Sequence, residues 1–336
     1  MSRLVYEELL ARCAPMLERD ESGPERSGRW ALILAGGDGT RLLPMTREIT
    51  GDERPKQFCA LVGDETLLGQ TRSRVARSVS PDKTLFVLTR THERFYEPAL
   101  AGVPRRQFVV QPRGNAGTAP AVLYGLLRVS NADPASTVVV FPSDHYVSDD
   151  AAFMSHVETA FEAARSREDV VVLLGVEPDA PEAEYGWVEP VSHGTAETPG
   201  ALRRVQRFWE KPKPEFARGL MERGCLWNSF VMVGRVSAFL KLIRGAAPEL
   251  FDRFDEVRPA LNTSEEELVM RNLYSRLDEV NFSKHVLEAR PANLAVLRVS
   301  GLTWSDLGRP NRVLAARARA AHDSHSPPMT AASLAN

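Results

Sequence analysis

The sequence predicts an α/β protein built on a doubly wound, mostly parallel, Rossmann-like sheet, with a mixed α+β C-terminal half. Three observations support this fold class. Short apolar segments alternate with segments of helical periodicity in the first half of the chain, which is typical of parallel strands joined by crossover helices. Val138–Phe141 is continuously apolar, as expected for a strand buried on both faces. A glycine cluster at residues 36–39 directly follows the first apolar segment.

The elements of the first half follow from apolar runs bounded by turns and from apolar residues at helical spacing. The predicted strands are Trp30–Ala35, Leu85–Thr89, Phe108–Gln111, Thr137–Phe141 and Val170–Val176. The predicted helices lie near Thr66–Val79, His92–Leu100, Thr118–Val129 and Ala152–Ser166. Regular alternation of the two types predicts a doubly wound sheet.

The second half lacks that regular alternation. The predicted strands are Tyr185–Pro190, Leu202–Trp209, Trp227–Val233 and Leu294–Val299. The predicted helices are Pro214–Arg223, Val236–Arg244 and Ser264–Arg276. Strands that follow one another without an intervening helix are typical of antiparallel pairing, so this half is predicted to be mixed.

The two ends of the chain differ from the main domain, which is predicted over residues 29–319. Leu4–Leu17 has apolar residues at helical spacing, and the polar residues up to Gly28 read as a linker, so residues 1–28 form a helix and linker. Residues 320–336 are rich in Ala, Ser, His and Pro and are predicted to be a disordered tail.

Composition excludes several classes of protein. The 336 residues carry a formal net charge of -2, which gives no reason to expect a nucleic-acid partner. No apolar stretch approaches the length of a membrane span, so no membrane partner is expected. Three cysteines without CxxC spacing argue against a disulfide framework and favour a reducing, cytoplasmic setting. A homodimer is left open, because the sequence does not reveal the oligomeric state.

The glycine cluster after the first strand predicts a phosphate site. Glycine lets the backbone approach an anion closely and lets successive N–H groups converge on it. Arg41 follows the cluster, and its forked guanidinium suits phosphate oxygens. The loop lacks both the Gly-Lys-Ser/Thr of a Walker loop and the spacing of a dinucleotide fingerprint. A tight turn without a ligand is the alternative interpretation.

A second candidate lies at the end of the apolar strand Thr137–Phe141. The segment Pro142-Ser143-Asp144-His145 places a carboxylate at the carboxyl end of a central strand, where α/β sheets bind ligands. Mg²⁺ prefers one or two carboxylates together with phosphate oxygens and water. Asp144 is therefore a candidate for Mg²⁺, with an ordinary turn residue as the alternative, whereas His145 is interpreted as structural.

A family resemblance rests on these and further segments. Residues 35–48 and the following Pro55-Lys56-Gln57-Phe58 resemble the signature of sugar nucleotidyltransferases, and the second segment is similar to the mannose-1-phosphate guanylyltransferases. Matching segments follow in order at residues 111–120, 142–145, 185–188, 210–212, 227–229 and 304–308. The resemblance covers nearly the whole chain apart from its ends. It implies a nucleotidyltransferase domain over residues 29–319 with the fold of nucleotide-diphospho-sugar transferases.

The resemblance also implies roles for individual residues. Those expected to bind the nucleotide are Ala35, Gly36, Gly37, Gly39, Thr40, Arg41, Lys56, Gln111, Gly117, Thr118 and Ser143. Those expected to bind the sugar are Asp144, Tyr185, Gly186, Glu210, Lys211 and Asn228. Mg²⁺ is the implied cofactor, held by Asp144 and Asp306. The implied catalytic residues, which balance phosphate charge, are Arg41, Lys56 and Lys211.

The implied activity is transfer of GMP from GTP to α-D-mannose 1-phosphate, with release of pyrophosphate and no covalent intermediate. Two departures from the family pattern keep alternatives open: near Asn115 the chain is one residue longer and lacks the family's usual arginine, and Phe230 stands where a small residue is usual. Arg309-Pro310 also stands where Ser-Trp is common. One alternative is another nucleotide or sugar 1-phosphate, such as a heptose or glucose derivative. A second is a regulatory homologue that binds nucleotide sugars without turnover. A third is an NAD-dependent oxidoreductase, which the missing fingerprint disfavours.

Overall fold

The computed structural model describes residues 28–112, 116–191 and 201–325. The predicted N-terminal helix and the end of the predicted tail lie outside these ranges. The strands in the described ranges are β1 (Arg29–Leu34), β2 (Thr84–Thr89), β3 (Phe108–Gln111), β4 (Thr137–Pro142), β5 (Tyr146–Val147), β6 (Val171–Val176), β7 (Gly186–Pro190), β8 (Arg203–Glu210), β9 (Leu226–Arg235), β10 (Leu294–Val299) and β11 (Trp304–Ser305).

The α-helices of the described ranges lie between and after these strands. They are α1 (Leu43–Thr50), α2 (Leu67–Val75), α3 (Glu93–Ala99), α4 (Thr118–Ala132), α5 (Asp150–Ser166), α6 (Pro214–Glu222), α7 (Val236–Ala246), α8 (Pro248–Val257), α9 (Glu266–Tyr274) and α10 (Pro310–His325). One turn of π-helix spans Ser283–Leu287. None of the helices in the described part of the chain is long and apolar enough to cross a membrane.

Nine of the described strands form one sheet in the order β3-β2-β1-β4-β9-β6-β10-β8-β7, and β7 also pairs with β9. The first four strands are parallel, as predicted. Strand β9 runs antiparallel between β4 and β6, and β7 and β8 are also antiparallel to their neighbours. The predicted fold class is confirmed: a parallel, doubly wound half continues into a mixed half.

Helices cover both faces of the sheet. Along β1, Trp30 and Leu32 pack into the cluster that includes α4, α7 and α8, whereas Ala31 and Ile33 pack into the cluster that includes α2, α3 and α5. Successive side chains of a strand point to opposite faces, so a strand between two helical layers must be apolar at every position. This explains the continuous apolar run in β4.

The structure adds elements that periodicity does not reveal. Helix α1 and the two-residue strands β5 and β11 have too few apolar residues in sequence to be recognised. Helix α8 was not predicted, although its buried residues Leu250, Phe251 and Phe254 stand at helical spacing. The predicted tail begins too early, because α10 continues to His325. The segment up to that residue is rich in Ala and Arg, which favour helix, and composition alone did not separate it from the residues beyond.

Candidate active site

Loops at the carboxyl ends of β1 and β4 meet residues of β7, β9 and the segment after β10 around a cleft of about 490 Å³. Most of the predicted site residues line this cleft. They are Gly36, Gly37, Gly39, Thr40, Gln111, Gly117, Thr118, Asp144, Tyr185, Gly186, Glu210, Lys211, Asn228 and Asp306. The cleft therefore gathers residues from all the segments on which the family resemblance rests except Pro55–Phe58, whose Lys56 contacts two of the lining residues.

The remaining predicted residues do not line the cleft. Ala35 and Ser143 are buried, and their backbone N–H groups donate to the carbonyls of Val87 (2.8 Å) and Leu34 (3.1 Å). These bonds attach the glycine loop and the loop after β4 to the sheet. Arg41 is exposed beside the cleft, and Lys56 lies against two carboxyl-bearing residues that line it. All four remain predicted site residues.

Glycine is required at two positions of the loop, at one by close packing and at the other by the backbone conformation. A Cβ on Gly36 would lie 2.6 Å from Thr89 Oγ1 and 2.8 Å from Gln111 Nε2. Gly39 has a φ of 60°, a left-handed conformation that side chains rarely adopt. The loop thus follows a path that other residues would block, and its backbone faces the cleft.

Gln57 fixes this loop from behind and was not predicted to have a role. Its side chain is buried, and Nε2 donates to the carbonyls of Ala35 (3.1 Å) and Gly37 (2.8 Å). An amide that satisfies two loop carbonyls orients the neighbouring N–H groups without entering the cleft. The signal was present in the sequence, because Gln57 belongs to the same Pro-Lys-Gln-Phe segment as Lys56.

Asp38 is the acidic residue of the glycine loop, and His92 holds it. His92 Nε2 lies 3.0 Å from Asp38 Oδ1, and the imidazole is buried. Burial lowers the pKa of His92, although the neighbouring Asp38 opposes this shift. A neutral imidazole that donates from Nε2 keeps the carboxylate in a fixed position, which limits its repulsion of a phosphate in the same loop.

Lys56 links the two predicted metal ligands. Its Nζ is 3.2 Å from Asp144 Oδ2 and also donates to the backbone carbonyl of Asp306. The lysine side chain is only 10% exposed, so this contact is largely shielded from water. Pairing of Ser305 with Tyr146, where β11 meets β5, places Asp306 next to the loop that carries Asp144.

Asp306 is held in an ionised, oriented state. Its Oδ1 accepts hydrogen bonds from Arg312 Nη1 (2.7 Å), the Gly308 N–H (2.8 Å) and the Tyr185 hydroxyl (3.3 Å). Burial opposes ionisation, but the nearby charges of Lys56, His145 and Arg312 outweigh it, so the pKa of Asp306 lies below its ordinary value. Because all three bonds converge on Oδ1, Oδ2 is the oxygen that can serve a cation.

The donor set fits Mg²⁺. Two carboxylates, Asp144 and Asp306, line the same cleft beside a glycine loop suited to phosphate. Among the described residues no cluster of three or more His, Cys, Asp or Glu side chains could hold a metal. This sparse set suits a hard cation that takes its other ligands from phosphate and water, and not one that needs a complete protein cage.

The opposite wall carries the predicted sugar-binding residues. A Cβ on Gly186, where β7 passes β8, would lie 3.0 Å from Phe208 Cζ and 3.1 Å from Glu210 Oε2, so a larger residue there would require these side chains to shift. Lys211 Nζ is 3.6 Å from Glu210 Oε1, and Lys211 has a φ of 48°. The left-handed backbone at Lys211 ends β8 with a turn and brings both charged side chains to the cleft.

Glu210 is largely buried, with a side chain 14% exposed, and this burial costs stability. Burial raises the pKa of Glu210, and the ammonium of Lys211 offsets only part of that shift. A carboxyl with a raised folded-state pKa destabilises the fold at pH values above its ordinary pKa, and this penalty disappears once the group is protonated. A neutral side chain of the same shape is therefore expected to be more stable at this position.

Glu210→Gln is therefore expected to raise the melting temperature at about pH 7, where the carboxyl of the wild type is forced to ionise. The difference should vanish near pH 4, where both proteins are neutral at this position. Thermal melts of both proteins across this range test the prediction. A melting temperature below that of the wild type at pH 7 would show that Glu210 stabilises the fold.

Phe230 adopts a left-handed conformation with a φ of 59°, which is costly for a bulky residue. Its N–H donates to the Asn228 side chain (3.1 Å), and its ring packs on Phe282 with centroids 5.9 Å apart. Ser229 Oγ fixes the bulge by donating to Leu174 O (2.6 Å). The same bulge therefore positions Asn228 and places an aromatic ring in the lining of the cleft.

The start of α4 closes the cleft near Gln111. Gly117 is the N-cap residue, with a φ of 87°, and a Cβ there would lie 2.7 Å from the carbonyl carbon of Val280. Thr118 is the first residue of the helix and accepts a hydrogen bond from the Phe282 N–H (2.8 Å). Residues 113–115, including Asn115, lie outside the described residues.

A larger groove, of about 750 Å³, runs along α4 next to Phe108. Two of its four arginines are paired within the groove, Arg90 with Glu267 (3.0 Å) and Arg128 with Glu266 (3.4 Å). It contains none of the predicted site residues. The smaller cleft is the one that combines glycine N–H groups, cations and carboxylates.

Comparison with known proteins agrees with this geometry. The profile of the family described as "Nucleotidyl transferase" matches residues 30–323, which is most of the chain. The chain belongs to this family. The family predicted from the motif at residues 35–58 is thus confirmed, and so is the prediction that the chain belongs to the nucleotidyltransferases.

Curated members of the nucleotidyltransferase family resemble this chain along most of its length. It is 34% identical to the xanthan biosynthesis protein XanB of Xanthomonas campestris over 66% of this chain and 45% of that protein. It is 31% identical to the alginate biosynthesis protein AlgA of Pseudomonas aeruginosa, over 66% and 44%. The mannose-1-phosphate guanylyltransferase of Escherichia coli is 27% identical, over 84% and 58%. The chain thus spans about half the length of these relatives.

Solved structures show the same fold. A crystal structure described as mannose-1-phosphate geranyltransferase from Thermus thermophilus superposes with a TM-score of 0.72 at 31% identity, covering 85% of this chain and 79% of that one. A UDP-glucose pyrophosphorylase complexed with UDP-glucose superposes with a TM-score of 0.53 at 14% identity, covering 88% and 99%. The second similarity supports the fold alone.

Proposed function

We propose that this chain is a mannose-1-phosphate guanylyltransferase. It would transfer GMP from GTP to α-D-mannose 1-phosphate, giving GDP-mannose and pyrophosphate. The observation that carries the proposal is the meeting, in one cleft, of the glycine loop with Asp144 and Asp306 on either side of Lys56. The names of the E. coli and T. thermophilus relatives support mannose 1-phosphate as the acceptor.

The reaction requires no protein nucleophile. An oxygen of the sugar phosphate attacks the α-phosphorus of the nucleotide, one P–O bond forms, and the bond to the leaving pyrophosphate breaks. Two polyanions must approach each other, so positioning and charge neutralisation account for the catalysis. Lys56 and Arg41 would balance the charge of the triphosphate, and Lys211 that of the sugar phosphate. Mg²⁺, held by Asp144 and Asp306, would supply Lewis-acid stabilisation of the phosphate oxygens.

The two walls of the cleft suit the two ends of GDP-mannose, the base and the sugar. Near Gln111 the lining contains Leu34, Val87 and Ala121, which offers an apolar surface for a base, and Gln111 supplies an amide for its edge. On the opposite wall Glu210 and Asn228 offer oxygen and nitrogen partners for sugar hydroxyls. This division assigns the nucleotide to the parallel half of the sheet and the sugar to the mixed half.

The direct test is pyrophosphate release with Mg²⁺, measured for GTP, ATP, UTP and dTTP against mannose, glucose and heptose 1-phosphates. Release confined to GTP with mannose 1-phosphate is the expected result. Release with a different pair of substrates would support the proposed type of reaction but contradict the proposed nucleotide or sugar. Absence of release with every pair, from protein shown to be folded, would contradict the proposal and favour a binding-only homologue.

The proposal retains the cytoplasm as the compartment, because the described cysteines Cys59 and Cys225 are free and buried, as in proteins of reducing compartments. Burial raises the pKa of both thiols to about 11, so neither is a reactive thiolate at neutral pH. A homodimer remains a prediction. Size-exclusion chromatography with light scattering would decide it.

Phe230 is the feature that bears most on sugar choice. Phe230→Gly would remove a ring from the cleft lining and suit the left-handed backbone. We expect the ratio of kcat/KM for heptose 1-phosphate over mannose 1-phosphate to rise about tenfold, since a hydrophobic pocket discriminates by ~1–3 kcal/mol. Competition assays with both sugars measure the ratio. An unchanged ratio would show that Phe230 only supports the fold.

A further inference from the structure

Arg312, in the first turns of α10, contacts the proposed metal ligand Asp306 from behind the cleft. Its Nη1 donates to Asp306 Oδ1 at 2.7 Å, and its side chain is only 11% exposed. The guanidinium also lies over the ring of Tyr185, 4.4 Å from its centroid, and Tyr185 itself donates to the same Oδ1. Arg312 belongs to none of the segments on which the predicted site was based.

The second amino group of Arg312 faces two further carboxylates. Its Nη2 lies 2.7 Å from Glu182 Oε2 and 3.4 Å from Glu184 Oε2. Arginine can bridge several carboxylates because its donors form a planar fork. The guanidinium is therefore fixed on three sides, by Asp306, by the glutamates and by the ring of Tyr185.

Glu184 extends the network to the other side of the cleft. It accepts a hydrogen bond from Arg309 at 2.5 Å, and its Oε2 lies 3.6 Å from Arg41 Nη1. The hydrogen bond from Arg309, together with the charges of Arg41 and Arg312, keeps the pKa of Glu184 below its ordinary value. Glu184 lines the cleft, where an unneutralised carboxylate would repel a polyphosphate. The positive charges of Arg41, Arg309 and Arg312 offset that repulsion.

Alternating charges thus connect the arginine of the nucleotide loop with the proposed metal ligand, in the order Arg41, Glu184, Arg312, Asp306. We propose that Arg312 is a positioning residue. It fixes which oxygen of Asp306 faces the metal, and through Glu184 it sets the position of Arg41. Arg312 does not line the cleft. The inference rests on the proposed nucleotidyltransferase function and names a further residue on which that reaction depends.

The test uses Arg312→Gln and Arg312→Lys in the full chain. Partners that orient a metal ligand typically contribute about 10–100-fold to metal affinity or activity. We expect Arg312→Gln to weaken Mn²⁺ binding in the presence of GTP at least about tenfold, measured by electron paramagnetic resonance without acceptor sugar. The Mg²⁺ concentration for half-maximal pyrophosphate release should rise in parallel. Arg312→Lys keeps the charge but cannot span Asp306 and Glu182, so it should lose most of the same affinity.

Arg319→Gln is the matched control. Arg319 lies on the same helix, its side chain is 53% exposed, and it contacts Thr303 and Asp179 outside the cleft. Its Mn²⁺ affinity and Mg²⁺ dependence should equal those of the wild type. Melting temperatures of all variants separate loss of folding from loss of positioning.

A double mutant tests whether Arg312 affects metal binding through Asp306. If Arg312 acts through Asp306, then Arg312→Gln combined with Asp306→Asn should bind Mn²⁺ no more weakly than Asp306→Asn alone. Wild-type Mn²⁺ affinity and Mg²⁺ dependence in folded Arg312→Gln or Arg312→Lys would overturn the inference, and so would additive losses in the double mutant. Because Mn²⁺ binding needs no turnover, absence of pyrophosphate release by the wild type would contradict the proposed reaction separately.

Discussion

Asp306→Asn is expected to lower kcat for pyrophosphate release about a hundredfold to a thousandfold, the usual loss when one preorganised electrostatic contact is removed. Asparagine keeps the shape of the side chain and can still accept from Arg312 and the Gly308 N–H. It removes the negative charge through which Asp306 would hold Mg²⁺ opposite Asp144. Steady-state rates at saturating substrates, over a range of Mg²⁺ concentrations, measure the effect.

Asp252→Asn provides the control for this prediction, because Asp252 is an exposed carboxylate on α8, distant from the cleft lining. Asp306→Asn should also melt at a lower temperature than the wild type near pH 7. The folded-state pKa of Asp306 is lowered, so its ionised form stabilises the fold above the ordinary pKa, and this contribution is lost as the pH falls through the lowered value. Near wild-type turnover in folded Asp306→Asn would remove Asp306 from the site.

Lys56→Met is expected to lower kcat/KM for the nucleotide about a hundredfold to a thousandfold. Methionine matches the lysine stem in length, so the buried part of the side chain stays packed. The variant loses the only cation that contacts both Asp144 and Asp306 among the described residues. The triphosphate would then face two carboxylates without the charge that balances them.

Initial rates at subsaturating nucleotide and saturating sugar phosphate measure this loss. Lys241→Met, at an exposed position of α7, should behave as the wild type. An effect on KM for the sugar phosphate alone would contradict the assignment of Lys56 to the nucleotide. Unchanged kcat/KM in folded Lys56→Met would show that the contact with Asp144 and Asp306 is only structural.

Sequence periodicity predicted the main strands and most helices to within a few residues. β4 illustrates why: each residue of a strand between two helical layers is buried, so the requirement for apolar side chains appears directly in the sequence. The short strands β5 and β11 could not be predicted, because two residues carry no period. Their pairing is nevertheless what places Ser305 next to Tyr146 and so brings Asp306 to Asp144.

The predicted site residues were recognised as motif members, and the fold gathers most of them in one cleft. The residues that hold the site residues in place were not predicted from the sequence. Gln57 lies within a known motif but acts through loop carbonyls, and Arg312 lies in a helix with no motif at all. A side chain that acts on another side chain imposes no local pattern, so only spatial proximity reveals it.

The sequence by itself determined the fold class and the family, and it predicted a phosphate site in the loop after β1. Local rules suffice for these properties, because glycine content, apolar runs and motif order depend on neighbours along the chain. The tertiary structure decided that Lys56 lies between Asp144 and Asp306, that Phe230 enters the cleft in a left-handed conformation, and that Arg312 connects Asp306 with Glu184. These arrangements join residues far apart in sequence, and their distances depend on strand register and helix packing.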